Sequence, residues 1–179
     1  MAKEIKRENL CGKYVTLREV SVDDADFILA LRCDEKKARF LNKINNDKNA
    51  QVAYIKRYLA TTDEWYFISE SKDGRKLGAI RIYDLRSDSF SFGSWVMIDG
   101  VTMSEAFETD YLTRMYGFNV LGFNKNHFDV RKDNEKVLKY HQFLGAKKVG
   151  ETELCYLYEV TKNEFVKRAN LMWKLSESK

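Results

Sequence analysis

The stretch SWVMIDGVTMSEAFETDYLTRMYGFNVLGFNKNHFDVRKDNEKVLKYHQFLGAKKVGE, Ser94 to Glu151, decides the fold of this chain. It opens inside an apolar run, Ser89 to Ile98, that reads as a strand. Gly93 within that run marks a bulge or a close approach of another backbone. After Asp99-Gly100 a long helix begins near Thr102 to Ser104, and Phe107, Tyr111, Met115 and Phe118 are spaced for one of its faces. Gly122 ends the connection, and Asn126 to Arg131 is a second, short strand. Asn134 caps a further helix that Gly145 stops at its C′ position, where a left-handed backbone suits glycine. A strand, a helix and a second strand in this order imply a parallel crossover.

Working outward, the preceding segment is a meander. Glu64 to Ser71 and Lys76 to Arg86 read as strands joined through Asp73-Gly74, a dipeptide suited to the positive φ of hairpin turns. Arg86-Ser87-Asp88 turns the chain into the strand at Ser89. Nearer the start, Lys13 to Val20 is an alternating strand rich in β-branched residues. Ser21, with Asp24 three residues on, opens a helix carrying Ala25, Ile28, Leu29 and Arg32. Asp47 caps a second helix whose expected apolar face is Val52, Ile55 and Leu59. Beyond Gly145, strands around Lys147 to Glu151 and Leu154 to Val160 precede an amphipathic tail. This order predicts an α+β fold with a mixed sheet, in one domain over residues 1–179.

Composition narrows the classes. At 44% hydrophobic and 13% aromatic, the 179 residues can fill a core and exclude disorder. The net charge of +4, with both signs interspersed, gives a mild pull on anions but no nucleic-acid arm. No apolar run is long enough for a membrane span. The opening MAKEIKREN is charged and lacks a signal-peptide core, which points to the cytoplasm. Cys11, Cys33 and Cys155 are scattered and odd in number, without metal spacing, so buried thiols and no metal are expected.

The glycine turn before a helix presents backbone N–H groups at a positive dipole end, a place for phosphate or pyrophosphate or simply a turn. His141 follows Asn134 by two turns less ~20° and shares a face with Val137 and Leu144. A histidine there can donate a proton near neutral pH or be a hydrogen-bonded core residue. Asp84, Glu105, Glu151 and Glu153 are candidates for taking a proton from an amine, or are solvated surface charges. Arg131, Lys132, Lys136 and Lys139 are a basic cluster or one solvated face. Tyr54, Tyr58, Trp65 and Tyr83 offer rings for stacking a sugar or base, or belong to the core.

Val130 to Glu151, VRKDNEKVLKYHQFLGAKKVGE, resembles the last motif block of the GNAT superfamily, and GSWVMIDG before it resembles that family's acyl-CoA-binding strand and loop. The family pattern is Asn, Tyr seven residues on, and Gly four further; here these are Asn134, His141 and Gly145. The resemblance runs from about Tyr14 to Val160 and is specific from Gly93 to Glu151. It implies an acetyl-CoA-dependent N-acetyltransferase with a mixed, mostly antiparallel sheet and helices on both faces. The acyl-CoA would lie in a V-shaped split between two central parallel strands.

By that resemblance the pantetheine arm pairs along Trp95, Val96, Met97 and Ile98. The pyrophosphate rests on the backbone of Asp99, Gly100, Val101, Thr102, Met103 and Ser104. Asn134 bonds to the arm, and Lys136 and Lys139 stand near the 3′-phosphate. A backbone N–H near Val96 or Met97 polarises the thioester, the amine attacks directly, and the CoA thiolate leaves. His141 takes the place of the usual proton-donating tyrosine, as in a subset of the superfamily, and Tyr140, about 100° around the helix, is the second choice. The loop lacks the fuller Gln/Arg-x-x-Gly-x-Gly/Ala signature, so its cradle rests on Gly100 and backbone alone, and Ala146 stands where an aromatic is usual.

Within the superfamily, GSWVM, KVLKYHQFLGAKKVGETE and CYLYE look most like bacterial enzymes that acetylate nucleotide-linked amino sugars for surface-polysaccharide or glycan synthesis. The implied partner is a small-molecule amine, contacted by Tyr83, Asp84 and Glu151, with no nucleic acid or membrane and with a homodimer compatible. Acetylation of protein N-termini, ribosomal proteins or polyamines is the alternative. A non-catalytic CoA-binding module is a further one, prompted by the short phosphate loop and the missing tyrosine.

Overall fold

The computed structural model describes residues 9–177 of the chain, so the first eight residues of the charged opening lie outside it. Two compact units divide the chain: Met1–Asp84 with Gly93–Thr113, and Leu85–Phe92 with Arg114–Lys179.

In the first unit, β1 (Leu10–Cys11), β2 (Val15–Glu19), β3 (Trp65–Ser71) and β4 (Lys76–Tyr83) pair antiparallel in chain order. The second half of β5 (Ser89–Met97) follows β4 in the strand order. Gly74 takes φ 84° in the β3–β4 turn, as the Asp-Gly dipeptide predicts. A 3₁₀ turn (Val22–Asp24) leads into α1 (Ala25–Arg32), and Asp47 caps α2 (Lys48–Ala60) by accepting from the Ala50 N–H. Both helices pack on the sheet face that carries Tyr66 and Ile68, in a cluster with Val20, Ala25, Ile28, Ile55, Tyr58 and Ala79. The buried face of α2 is Gln51, Ile55 and Tyr58, with Val52 partly buried against the cluster; of the expected Val52, Ile55 and Leu59, only Leu59 turns outward. Leu59 is 36% exposed, because the tyrosine offers more apolar surface and spends its hydroxyl on the Tyr66 N–H.

The helix α3 (Met103–Met115) lies on the opposite sheet face, where Thr109 meets Ser69 hydroxyl to hydroxyl at 2.7 Å. Its expected stripe holds only in part: Phe107 is buried, while Tyr111 and Met115 are half-buried. Polar residues take the buried places instead, namely Glu108, Thr109, Asp110, Thr113 and Arg114. Glu108 shows why. Its carboxylate accepts the backbone N–H groups of Lys13, Tyr14 and Val15 at 2.8, 2.6 and 2.7 Å, ahead of and into β2. Gly12 leaves room for it, since a Cβ there would sit 2.3 Å from Glu108 Cδ.

Asp24 is another buried carboxylate of this unit. It receives both Nη atoms of Arg18 at 2.8 Å, Lys76 Nζ at 2.6 Å and the Ser21 N–H at 2.8 Å. Burial alone would raise its pKa, but the bonds from Arg18, Lys76 and Ser21 together hold it well below the usual carboxylate range.

In the second unit, the first half of β5 pairs parallel with β6 (Lys125–Arg131), through Ser89–Lys125, Phe90–Asn126 and Ser91–His127. Antiparallel pairing continues to β8 (Cys155–Thr161) and on to β7 (Lys147–Glu151). The α4 helix (Glu135–Phe143) ends in a Schellman motif: the Ala146 N–H bonds to the His141 carbonyl, the Gly145 N–H bonds to the Gln142 carbonyl, and Gly145 has φ 86°. A π turn (Tyr116–Val120) brings Phe118 to Phe90 and Phe165, the latter on α5 (Lys162–Glu177). The sheet is therefore mixed and mostly antiparallel, and the fold is α+β.

Glu108→Ala leaves three amide donors without their acceptor, one buried and two part-buried, and we expect it to cost roughly 2–3 kcal/mol, read as a lower urea midpoint at unchanged slope. A loss below ~1 kcal/mol would show that the three bonds are not what seats α3. Asp24 has a depressed folded pKa, so its stabilisation is present above the unfolded value near pH 4 and is lost as pH falls below it. Asp24→Asn should accordingly lower stability at pH 7 and flatten the fall between about pH 4 and pH 2, followed by thermal melts across that range.

Candidate functional site

Strand β5 changes character at Gly93-Ser94. Ser94 is in the left-handed region at φ 50°, unusual for a residue with a side chain. The Tyr83 hydroxyl fills the space a Cβ on Gly93 would need, 2.6 Å from that position. Beyond the break, Val96 is buried and Trp95 and Met97 are half-buried. The Ile98 N–H is committed to the Leu77 carbonyl at 2.8 Å, so it is not an open donor for an arm laid along Trp95–Ile98.

The turn that follows carries Gly100 at φ 79° with open space around its Cα. Thr102 and Glu105 form a capping box at the start of α3. Glu105 accepts the Thr102 N–H at 2.8 Å, and Thr102 Oγ1 accepts the Glu105 N–H at 3.2 Å. One of the expected backbone donors is thereby spent, the Thr102 N–H on its own cap; the Asp99 side chain is 91% exposed and paired with Lys37 at 2.8 Å. The first-turn N–H groups of Met103 and Ser104 have no helical carbonyl four residues back and can still meet an acceptor. Glu105, weighed as a base, is instead the capping carboxylate, 3.9 Å from Arg75.

A cleft of about 470 Å³ opens in the same unit among Arg32, Gln51, Tyr54, Arg57, Arg81 and Ser94, with the 42–45 loop at its rim. Its described lining residues include no Asp or Glu. The Arg81 guanidinium stands 5.3–5.5 Å from the ring centroids of Tyr54, Tyr66 and Tyr83, and Arg57 is 5.2 Å from Tyr54. Of the rings expected at an opening, Tyr54 and Tyr83 are half-exposed, whereas Tyr58 and Trp65 are core. Asp84 is exposed at φ 48° directly after β4. The three arginines were not singled out from the sequence. They lie 25 and 24 residues apart along the chain, and no local pattern joins them.

In the second unit, Asn134 occupies the N-cap position of α4, yet its side chain makes no capping bond. Lys136 and Lys139 are exposed on the same helix, and Tyr140 is half-buried. His141 is 3% exposed, and its Nδ1 lies 2.9 Å from Nη2 of Arg114. A guanidinium can only donate, so Nδ1 accepts and the ring proton sits on Nε2. Burial first, and the Arg114 charge second, hold the His141 pKa well below 6.5. The expected imidazolium, ready to release a proton near neutral pH, is therefore not what this environment stabilises. Arg114 itself is fully buried among the rings of Phe92, Phe128 and Phe165, with Nη1 on Asn126 Oδ1 at 3.0 Å. Glu151, expected as a substrate contact, is exposed and paired with Lys148 and Lys132, which leaves its carboxylate engaged on the surface of β7.

Among the described residues, no cluster of His, Cys, Asp or Glu could hold a metal ion, and no helix is long and apolar enough to cross a membrane.

The acetyltransferase (GNAT) domain family model matches residues 15–147. Among solved structures, apo FdhC, described as a nucleotide-linked sugar GNAT, is 31% identical with a TM-score of 0.83, over 93% of this chain and 97% of that one. A spermidine N-acetyltransferase from Vibrio cholerae, in complex with CoA and spermine, is 14% identical with a TM-score of 0.75, over 87% of this chain and 99% of its own. A GCN5-related N-acetyltransferase from Brucella melitensis is 15% identical with a TM-score of 0.75, over 92% and 83%. The last two share the fold alone. Comparison with curated protein sequences finds no match. A family match over three quarters of the chain, with the fold and the Asn134–Gly145 block in place, makes this protein a member of the GNAT family and an acetyl-CoA-dependent N-acetyltransferase.

Proposed function

We propose that the chain acetylates an amino group of a nucleotide-linked amino sugar, as a single catalytic domain over residues 1–179, in the cytoplasm and in the service of surface-polysaccharide or glycan synthesis. The observation that carries the acceptor class is the charge of the cleft in the first unit. Three arginines line it, of which Arg81 is paired with Glu64 at 2.6 Å, and none of its described lining residues is a carboxylate, so the remaining positive charge attracts an anionic acceptor and repels a polyamine. The similarity to FdhC points the same way. Spermidine acetyltransferases share the fold, but a polycation would need acidic lining that this cleft lacks.

Acetyl-CoA supplies the activated acetyl thioester. In our reading the backbone of Trp95, Val96 and Met97 receives its arm, and an N–H of Val96 or Met97 stabilises the developing oxyanion. Gly100 and Val101 let the chain approach the pyrophosphate, and the N–H groups of Met103 and Ser104 bond to it. Asn134, with its amide unspent on the helix cap, bonds to the arm, and Lys136 and Lys139 offset the 3′-phosphate charge. Tyr140 moves ahead of its neighbour as proton donor, because a neutral His141 with its proton on Nε2 would have to become an imidazolate to give it up. His141 then acts by fixing α4 through Arg114. Tyr83 and Asp84, at the end of β4 beside the Ser94 break, contact the acceptor.

Thiol release measured with nucleotide-linked amino sugars, spermidine and N-terminal peptides tests the acceptor class, and faster turnover of spermidine would end the proposal. Tyr140→Phe should lower single-turnover transfer by ~10²–10³-fold at unchanged acetyl-CoA affinity. His141→Ala should instead lower the melting temperature first, so the two are compared on folded protein. Near-normal transfer by Tyr140→Phe would remove the tyrosine from the mechanism. Gly100→Val forces a β-branched residue to positive φ, at a folding cost of about 1–2 kcal/mol, and should weaken acetyl-CoA binding by about tenfold in titration calorimetry on the folded protein. An unaltered affinity would place the phosphates elsewhere.

A further inference from the structure

The three arginines of the cleft differ in how their charge is met. Arg81 is answered by Glu64 at 2.6 Å. Arg32 makes one side-chain hydrogen bond, from Nη2 to the Asn42 carbonyl at 2.7 Å, and no ion pair among the described residues. Arg57 is exposed, lines the cleft and likewise has no ion pair among the described residues. Its guanidinium stands against the Tyr54 ring, 5.2 Å from the centroid. An aromatic ring holds a guanidinium in place while leaving its N–H edges open, which a carboxylate would not. Arg57 thus combines a held position, an accessible head and an unanswered charge.

The same contacts run inward. Arg81 lies 5.5 Å from the centroid of the Tyr54 ring and 5.3 Å from that of Tyr83. The Tyr83 hydroxyl occupies the space beside Gly93, next to the Ser94 break that also lines the cleft. Arg57, Tyr54, Arg81 and Tyr83 therefore form a continuous series from solvent to the break in β5. In our reading the thioester lies along the second half of β5, so the acceptor amine arrives at the Tyr83 end and the rest of the acceptor extends toward Arg57. A nucleotide-linked sugar carries a diphosphate there, with one negative charge on each phosphate. Two unanswered cations, Arg57 on α2 and Arg32 at the end of α1, match it. A phosphate-free amine would leave both without a partner.

We infer that Arg57 is the specificity residue that reads the diphosphate of the acceptor, with Arg32 as the second cation. This rests on the acceptor class proposed above and assigns the residue that enforces it. Tyr54, Arg81 and Tyr83 stand between Arg57 and the break, so its contact is made equally in the ground state and the transition state and belongs in KM, not in kcat.

The acceptor KM is measured for a nucleotide-linked amino sugar and for the same amino sugar without its nucleotide, at saturating acetyl-CoA. Arg57→Gln should raise the first by about tenfold or more at unchanged kcat and leave the second unchanged, and the difference should shrink as salt rises. Arg57→Lys keeps the charge in the last turn of α2 but not the planar fork, and should recover only part of the affinity. Arg57 is exposed, so both variants should keep the parent's melting temperature. A KM for the nucleotide-linked sugar within about twofold of the parent, an equal rise for both sugars, or a loss confined to kcat overturns the assignment. If no nucleotide-linked amino sugar is acetylated, that acceptor class falls on its own. Inorganic pyrophosphate titrated by calorimetry into the CoA-saturated protein then decides the residue. Binding lost in Arg57→Gln keeps Arg57 as a reader of diphosphate anions; binding within about twofold of the parent, or no binding to the parent, ends the inference.

Discussion

Strand β5 cannot run through as a regular strand, and much of the chemistry follows from that. A serine held at φ 50° costs about 1 kcal/mol or more, and the glycine before it admits a tyrosine hydroxyl where any side chain would collide. Ahead of the break, Ser89, Phe90 and Ser91 are ordinary ladder residues beside β6. After it, the strand lies so close to β4 that a Cβ on Gly78 would sit 2.4 Å from the Val96 carbonyl oxygen. Ser94 itself faces the arginine-lined cleft. A single distortion thus shapes both the second half of β5 and one wall of the cleft.

The two units solve the problem of buried charge in different ways. In the first, carboxylates are buried and the backbone or basic side chains answer them: Glu108 takes three amides, and Asp24 takes Arg18, Lys76 and Ser21. In the second, a cation is buried. Arg114 lies among three phenyl rings whose negative faces suit it, and its Nη1 and Nη2 reach Asn126 and His141. That choice favours the neutral form of His141, whose Nδ1 accepts from the arginine.

What could be read in the sequence was local. Asp47, Asp73-Gly74 and Gly145 each act through neighbours within a few residues, and each does structurally what its spacing predicts. Asn134 marks the right boundary without making the bond a cap implies. The failures share a cause. Treating polar residues as outward-facing put Tyr111 and Met115 inside α3 and left Glu108, Asp110 and Arg114 out, since nothing in the helix announces partners 95 residues away. The phase of α2 slipped for the same reason: Tyr58 is core only because Tyr66 and Glu19 accommodate its hydroxyl. The arginine-lined cleft was illegible because Arg32, Arg57 and Arg81 come from three separate elements.

The α2 helix carries its two tasks on adjacent stripes. Ile55 and Tyr58 hold it to the sheet, while Tyr54 and Arg57, one position earlier in each case, line the cleft. The two cleft positions are not equally free: Arg57 is exposed, whereas Tyr54 packs against the core cluster as well as lining the cleft. For directed evolution, position 57 can therefore vary at little cost in stability, while a change at 54 alters the cleft and the core together.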